Sequence, residues 1–275
     1  MTIAALVLCL NLQINAQRVA ILTPEKSESV TRAADDFVSV FGERFKTLDM
    51  EMAAAAIKSA KPETPFNMTA TDVRAAAAVI GCDTLVLLRS ETLRRSSLEN
   101  PEYYEAYLAV FVADGRSGQL MIWDLANFEN DTAAAAEKRM GESTAAVARS
   151  VAERIANAAN AKTNAAIPAR PKMEEITADT VTGDLKPPIP YKRIKPEYPR
   201  AAYLYGVRAT IEVEADIDET GQILRTAIVR WAGYGLDDAV VKAVRSMNWR
   251  PAYRAGKPLP MRVLLRYNFT KIEKE

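Results

Sequence analysis

The chain contains no histidine, and its 275 residues include only two cysteines, Cys9 and Cys82. Without histidine, Ser-His-Asp and Cys-His catalysis and every histidine-bearing zinc site are excluded. Cys9 lies in an apolar leader-like stretch, which leaves Cys82 as the one thiol of the remaining chain. A lone thiol forms no internal disulfide, so core packing must hold the fold. Beside a predicted buried strand, Cys82 reads as a small core residue rather than a reactive thiol. No Gly-rich phosphate loop of either standard spacing occurs. Neighbouring carboxylates such as Asp35-Asp36 and Asp237-Asp238 diverge on a helix and do not converge on a substrate. An enzyme is not expected, nor is a cofactor or a bound metal.

Charge is divided unevenly. From Lys186 onward there are 17 Lys and Arg against 10 Asp and Glu, a balance of +7; the preceding residues hold 19 against 25, a balance of −6. The change of sign supports a domain boundary near residue 185. The basic residues of the C-terminal part are scattered along predicted strands, with no basic helix or aromatic stacking motif, so no nucleic-acid partner is expected. Thr2 to Leu10 is apolar and Asn15-Ala16-Gln17 offers a small residue for cleavage. Residues 1–17 therefore read as a signal peptide or as the remnant of a membrane anchor, the apolar core being too short to span a bilayer.

Residues 18–160 are expected to form an α/β domain, a mixed sheet with helices, in the order β-α-β-α-β-β-β-α. Arg18–Thr23 reads as a buried strand, and residues 27–45 carry apolar positions at helical spacing. Thr69-Ala-Thr-Asp72 fits a capping box before an Ala-rich helix that Gly81 stops. The continuous apolar run 83–88 predicts a strand covered on both faces. Two strands, 104–113 and 119–125, flank the turn Asp114-Gly-Arg-Ser-Gly118, and a long helix from Thr132 closes the unit. Residues 161–186 predict a Pro-rich flexible linker that holds two domains apart.

Residues 187–275 predict a small α+β unit, a three-stranded antiparallel sheet with two helices. Ala209, Ile211, Val213, Ala215 and Ile217 alternate with polar residues, the pattern of a sheet with one wet face. Residues 222–230 are the return strand. Leu236, Val240, Ala243, Val244 and Met247 mark one helix face. Met261, Val263, Leu265, Tyr267 and Phe269 point inward from the last strand, while Arg262, Leu264, Arg266 and Asn268 point outward. Asp216-x-Asp218-x-Thr220-Gly221 matches half of a calcium loop, but the twelfth position is Ala227 where a bidentate Glu is needed, so the segment reads as a hairpin turn. Asn67, Asn130 and Asn268 begin glycosylation triplets that chance produces readily.

The Pro187-Pro188-Ile189-Pro190 lead-in, Tyr198-Pro199, Gly206, Gly221, Gly233-Tyr234-Gly235-Leu236-Asp237, Trp249-Arg250-Pro251-Ala252 and Gly256-Lys257-Pro258 stand in an order that resembles the C-terminal domain of the TonB energy-transducer family. The resemblance covers the last third of the chain. It implies a periplasmic, cell-envelope protein that grips the Ton-box peptide of a TonB-dependent outer-membrane receptor by β-strand addition. It also implies proton-driven inner-membrane motor proteins as further partners. The docking edge it implies is the last strand, with Arg262, Leu264, Arg266 and Asn268. Lys195 and Tyr198 belong to the lead-in that lies near that contact. Two readings stay open: energy-coupled transport, or an envelope adaptor that uses the module without energy transduction. An open sheet edge would also allow a homodimer. Residues 18–160 resemble, more distantly, the α/β domains of TolB and of the curli-secretion lipoprotein family.

Overall fold

Continuous apolar runs require cover on both faces, and three of them form the centre of the first layer. The computed structural model describes residues 17–60, 64–164, 173–175 and 184–270. The expected leader lies outside the described residues except for Gln17, as does most of the expected linker. The N-terminal elements are β1 (Arg18–Leu22), α1 (Glu28–Gly42), β2 (Lys46–Thr47), α2 (Met50–Ala60), α3 (Ala70–Ile80), β3 (Thr84–Arg95), β4 (Tyr103–Asp114), β5 (Leu120–Asn130) and α4 (Ala133–Asn164). The strands form one mixed sheet in the order β2-β1-β3-β4-β5. β1 runs parallel to β2 and β3, and β4 runs antiparallel to β3 and β5.

One face of this sheet carries Val19, Ile21, Val86, Leu88, Leu108 and Val110 beneath α1 and α4. The Ser27 hydroxyl caps α1, and the Thr69–Asp72 capping box opens α3, which ends at Gly81. α2 is an addition to the expected order. Its four consecutive alanines, 53–56, have high helix propensity but no apolar period to reveal them.

The C-terminal elements are β6 (Glu174–Glu175), β7 (Leu185–Lys186), β8 (Ile189–Pro190), α5 (Arg200–Leu204), β9 (Ala209–Ile217), β10 (Ile223–Arg230), α6 (Leu236–Arg245), β11 (Trp249–Arg250), β12 (Ala252–Arg254), β13 (Lys257–Leu259) and β14 (Met261–Phe269). β10, β9 and β14 make the expected antiparallel sheet, its inward residues Ile211, Val213, Ala215 and Ile217 packed with Leu236, Val240 and Val244 of α6. The three-stranded expectation is incomplete. β6 lies parallel against the start of β14, and two small sheets, β11-β8 and β13-β12-β7, gather the Pro-rich lead-in. These pairings stay two or three residues long because proline lacks the N–H that a ladder needs.

The second face of the N-terminal sheet is shared between α2 and α3, over β1 and β3, and the C-terminal part, over β4 and β5. Buried residues of the two parts thereby share one apolar cluster. Tyr107 meets Tyr205 at 4.6 Å between ring centroids, Phe111 meets Trp231 at 6.1 Å, and Trp123 meets Tyr234 at 5.1 Å. Full burial of such a ring contributes roughly 1.5–3 kcal/mol, so the cluster outweighs the freedom a linker would allow. Polar clasps flank it. The Trp231 indole N–H donates to the Gly118 carbonyl at 3.3 Å, Arg95 donates to the Leu204 carbonyl at 2.9 Å, and the Tyr205 hydroxyl donates to Glu105. Within the N-terminal part, the β4–β5 turn packs so closely on α3 that a Cβ at Gly118 would lie 2.0 Å from the Ala70 carbonyl oxygen.

Candidate partner-binding edge

β14 is bonded along its whole length, Met261 to Phe269, to β9 on one side. On its other side β6 pairs only with Met261 and Arg262. From Val263 to Phe269 the outer row of backbone N–H and C=O groups has no strand partner among the described residues. Such a row accepts an extended segment readily. The chain's own backbone thus occupies the start of this rim, and no other described residue pairs with the remainder.

The four outward side chains of β14 do not share one environment. Leu264 is 56% exposed, and Arg266 and Asn268 are exposed beside it. Arg262 is only 6% exposed. Its Nε donates to Asp216 Oδ1 at 2.6 Å and its Nη2 to Oδ2 at 3.0 Å, a two-point pair across to β9. Removing one partner from a buried pair of this kind costs about 3–5 kcal/mol, so Arg262 is tied into the sheet. Arg266 Nη2 reaches Glu212 Oε1 at 2.6 Å, and Arg230 Nε lies 3.5 Å from Glu212 Oε2. The wet face is therefore a charge ladder, with arginines on the two outer strands and carboxylates on the central one. Alternation alone marked these positions as outward; the cross-strand register that pairs them was not visible.

Tyr198 lies at the far end of the same strand. The Tyr198 hydroxyl donates to the Val207 carbonyl at 2.6 Å, and its ring stacks on Phe269 at 5.9 Å. Tyr198 thus pins the lead-in against the last residue of β14, while Lys195 is exposed. The structure brings Tyr198 and Asn268 to one end of the strand and leaves Arg262 at the other.

Sequence reasoning missed the residues that join the two parts. The Asn67 side-chain Nδ2 donates to the Trp231 carbonyl at 2.7 Å, so the Asn67 triplet is a structural joint. Asp237 accepts from the Gly233 N–H at 2.7 Å and the Ala232 N–H at 3.1 Å, which fixes the turn that carries Trp231 and Tyr234. Burial pushes the Asp237 carboxyl up to about 6, against the pull of those two N–H groups. Glu105 shows the reverse outcome. Burial would raise it, but hydrogen bonds from Tyr205, Arg95 and Asn127 outweigh that and hold it below the ordinary carboxylate value. The available signal was the run 106–113, apolar on both alternations and therefore in need of cover on both faces.

No described helix is long and apolar enough to cross a membrane, and no group of three or more potential metal-ligating side chains occurs among the described residues. Residues 194–270 match the family model for the Gram-negative bacterial TonB protein C-terminal domain. No curated protein matches the chain. Among solved structures, the TonB C-terminal domain of Pseudomonas aeruginosa aligns at 23% identity over 38% of this chain and 97% of its own, with a TM-score of 0.28. A lipoprotein from Neisseria meningitidis aligns at 11% identity over 50% of this chain and 99% of its own, with a TM-score of 0.34. A putative lipoprotein from Caulobacter crescentus aligns at 10% identity over 52% and 91%, with a TM-score of 0.28. All three scores are low, and the family match carries the assignment: residues 194–270 of this chain are a TonB C-terminal domain.

Proposed function

We propose that this is a periplasmic envelope protein that captures an extended segment of an outer-membrane receptor by strand addition along β14, in the service of energy-coupled transport. The observation that carries the reading is the rim from Val263 to Phe269, which no described strand pairs, on a TonB C-terminal domain. In this reading the captured segment lies beside Leu264, Arg266 and Asn268 and ends near Tyr198 and Lys195. Arg262, held by Asp216, closes the other end of the rim next to β6. Residues 18–160 and 187–275 are taken as separate folding units joined by 161–186.

The test is binding of a receptor Ton-box peptide to the full chain. Affinity should fall at least tenfold for Leu264→Asp, and binding should vanish when alternate backbone nitrogens of the peptide are methylated. Undiminished affinity in both cases removes β14 as the docking edge. A dimer that dissociates as the peptide binds would show that a second copy competes for the same rim.

The clasp between the two parts favours a second reading, an envelope adaptor without energy transduction, because the domain is already docked on its own chain. Receptor-dependent uptake that survives collapse of the proton gradient would support the adaptor. Uptake that stops, together with co-purification of inner-membrane motor proteins, would support the transducer.

A further inference from the structure

The TonB C-terminal domain has a second sheet edge, β10, which opens onto a cleft of about 1010 Å³ shared with the N-terminal sheet. Arg225 to Val229 form one wall, and Leu120, Met121 and Trp123 of β5 line the other. β10 is bonded to β9 on one side. On the other side an isolated antiparallel bridge joins Arg230 to Thr69, and the Trp231 N–H donates to the Met68 carbonyl at 3.3 Å. The chain thus begins a strand addition at this edge and leaves it, because α3 starts at Ala70. From Ile223 to Val229 the outer backbone row has no strand partner among the described residues.

The side chains of the cleft select the chemistry of an occupant. Three guanidinium groups line it from three elements: Arg74 of α3, Arg225 of β10 and Arg245 of α6. Arg74 donates to the Ser117 carbonyl and the Thr71 hydroxyl, and Arg245 to the Thr226 hydroxyl, all neutral groups. Among the described residues no carboxylate pairs with any of the three. The carboxylates of the cleft are mostly engaged elsewhere: Glu212 by Arg266 and Arg230, Glu214 within 3.8 Å of Arg262, and Asp237 by backbone N–H groups. Asp238 is the exposed exception. The cleft therefore combines a backbone row that no described strand pairs with three arginines that no described carboxylate pairs.

We propose that this cleft receives an extended acidic peptide of a partner protein, added as a strand to β10 with its carboxylates toward Arg74, Arg225 and Arg245. Backbone pairing supplies the extended form and the three arginines supply the selectivity. β10 and β14 flank β9 on opposite sides, so the backbone row used here is not that of the receptor rim, although the Leu264 side chain of β14 also lines the cleft.

The experiment uses the full chain and an N-acetylated, C-amidated octapeptide of alternating Glu and Val. Binding is followed by titration calorimetry and by the fluorescence of Trp123 and Trp231, which both line the cleft. Saturable binding is expected, at least tenfold tighter than for the matching Lys-Val peptide. It should weaken more than tenfold in the double variant Arg225→Glu, Arg245→Glu and in Arg74→Glu, and disappear when alternate peptide nitrogens are methylated. If the double variant fails to fold, Arg74→Glu on its separate helix decides. Equal binding of the Lys-Val peptide, indifference to the arginine changes, or retained binding of the methylated peptide would each overturn the proposal.

Discussion

Asn67 meets Thr210 as an adjacent strand would. Its Nδ2 donates to the Thr210 carbonyl at 2.9 Å while its Oδ1 accepts the Thr210 N–H at 3.0 Å. One side chain from before α3 thereby closes the backbone of β9 and, through the Trp231 carbonyl, the end of β10.

Replacing Asn67 by alanine leaves three backbone groups without their partner. Each unsatisfied buried group costs about 1–3 kcal/mol, and partial access of water at this half-buried site places the expected loss at roughly 2–4 kcal/mol. Calorimetry should show one unfolding transition in the parent and two in Asn67→Ala, as the C-terminal part separates first. Asn67→Asp should do no better, since it turns an oxygen toward two carbonyls.

Gly233 has φ 71°, and a Cβ there would lie 2.5 Å from Trp123 Cδ1 and 2.9 Å from Phe111 Cε1. Gly233→Ala should therefore cost about 2–4 kcal/mol, from left-handed backbone strain and overpacking together. Gly256 also has a positive φ, 78°, but nothing within 4 Å of the added atom. Gly256→Ala should cost only about 1–2 kcal/mol. The difference between the two denaturant midpoints reads the aromatic contact between the two parts.

Two carboxyls give opposite pH dependence. Asp237 titrates near 6 in the folded chain against an ordinary value of 3.8. The folded chain thus holds a proton that the unfolded chain has released. The stability it contributes is full below about pH 4 and is lost as pH rises to about 6. Glu105, held below its ordinary 4.5, contributes stability that is present above that value and lost on acidification. In urea titrations from about pH 3.5 to pH 7, Asp237→Asn should abolish the decline toward pH 6. Glu105→Gln should abolish the loss at the acid end. Parallel curves for parent and variants would contradict both assignments.

Cys82 is buried at the end of α3, and burial, with Asp83 beside it, pushes its thiol up to about 11. At pH 8 the Cys82-containing peptide should stay unlabelled by iodoacetamide in the native protein and be labelled once it is denatured, because the thiolate is the nucleophile. Rapid labelling of Cys82 in the folded chain would show that this core opens.

Local signals were legible wherever the chemistry is local. The Thr69–Asp72 box, the Gly81 stop, the turn at Asp218 and the buried face of α6 all follow from spacing a few residues long. The strand β14 and its antiparallel place in the sheet were legible from its alternation, but the pairing of its first two residues with β6 was not. What escaped depends on contacts between distant residues. Asn67 and Trp231 are 164 positions apart, and Arg262 finds Asp216 across 46. Periodicity assigns a face to a residue; it does not say which other surface will arrive there. The two residues of β6 are too short to leave any period at all.

The aromatic contact also sets an order of events during synthesis. Phe111 leaves the ribosome roughly 120 residues ahead of Trp231, which at bacterial elongation rates is on the order of 6–24 s. Over that interval Tyr107, Phe111 and Trp123 have no lid, and the nascent chain presents a sticky aromatic surface to its surroundings. A chain truncated before Trp231 should keep that surface permanently bare, so premature termination would yield an aggregation-prone fragment rather than a smaller working protein.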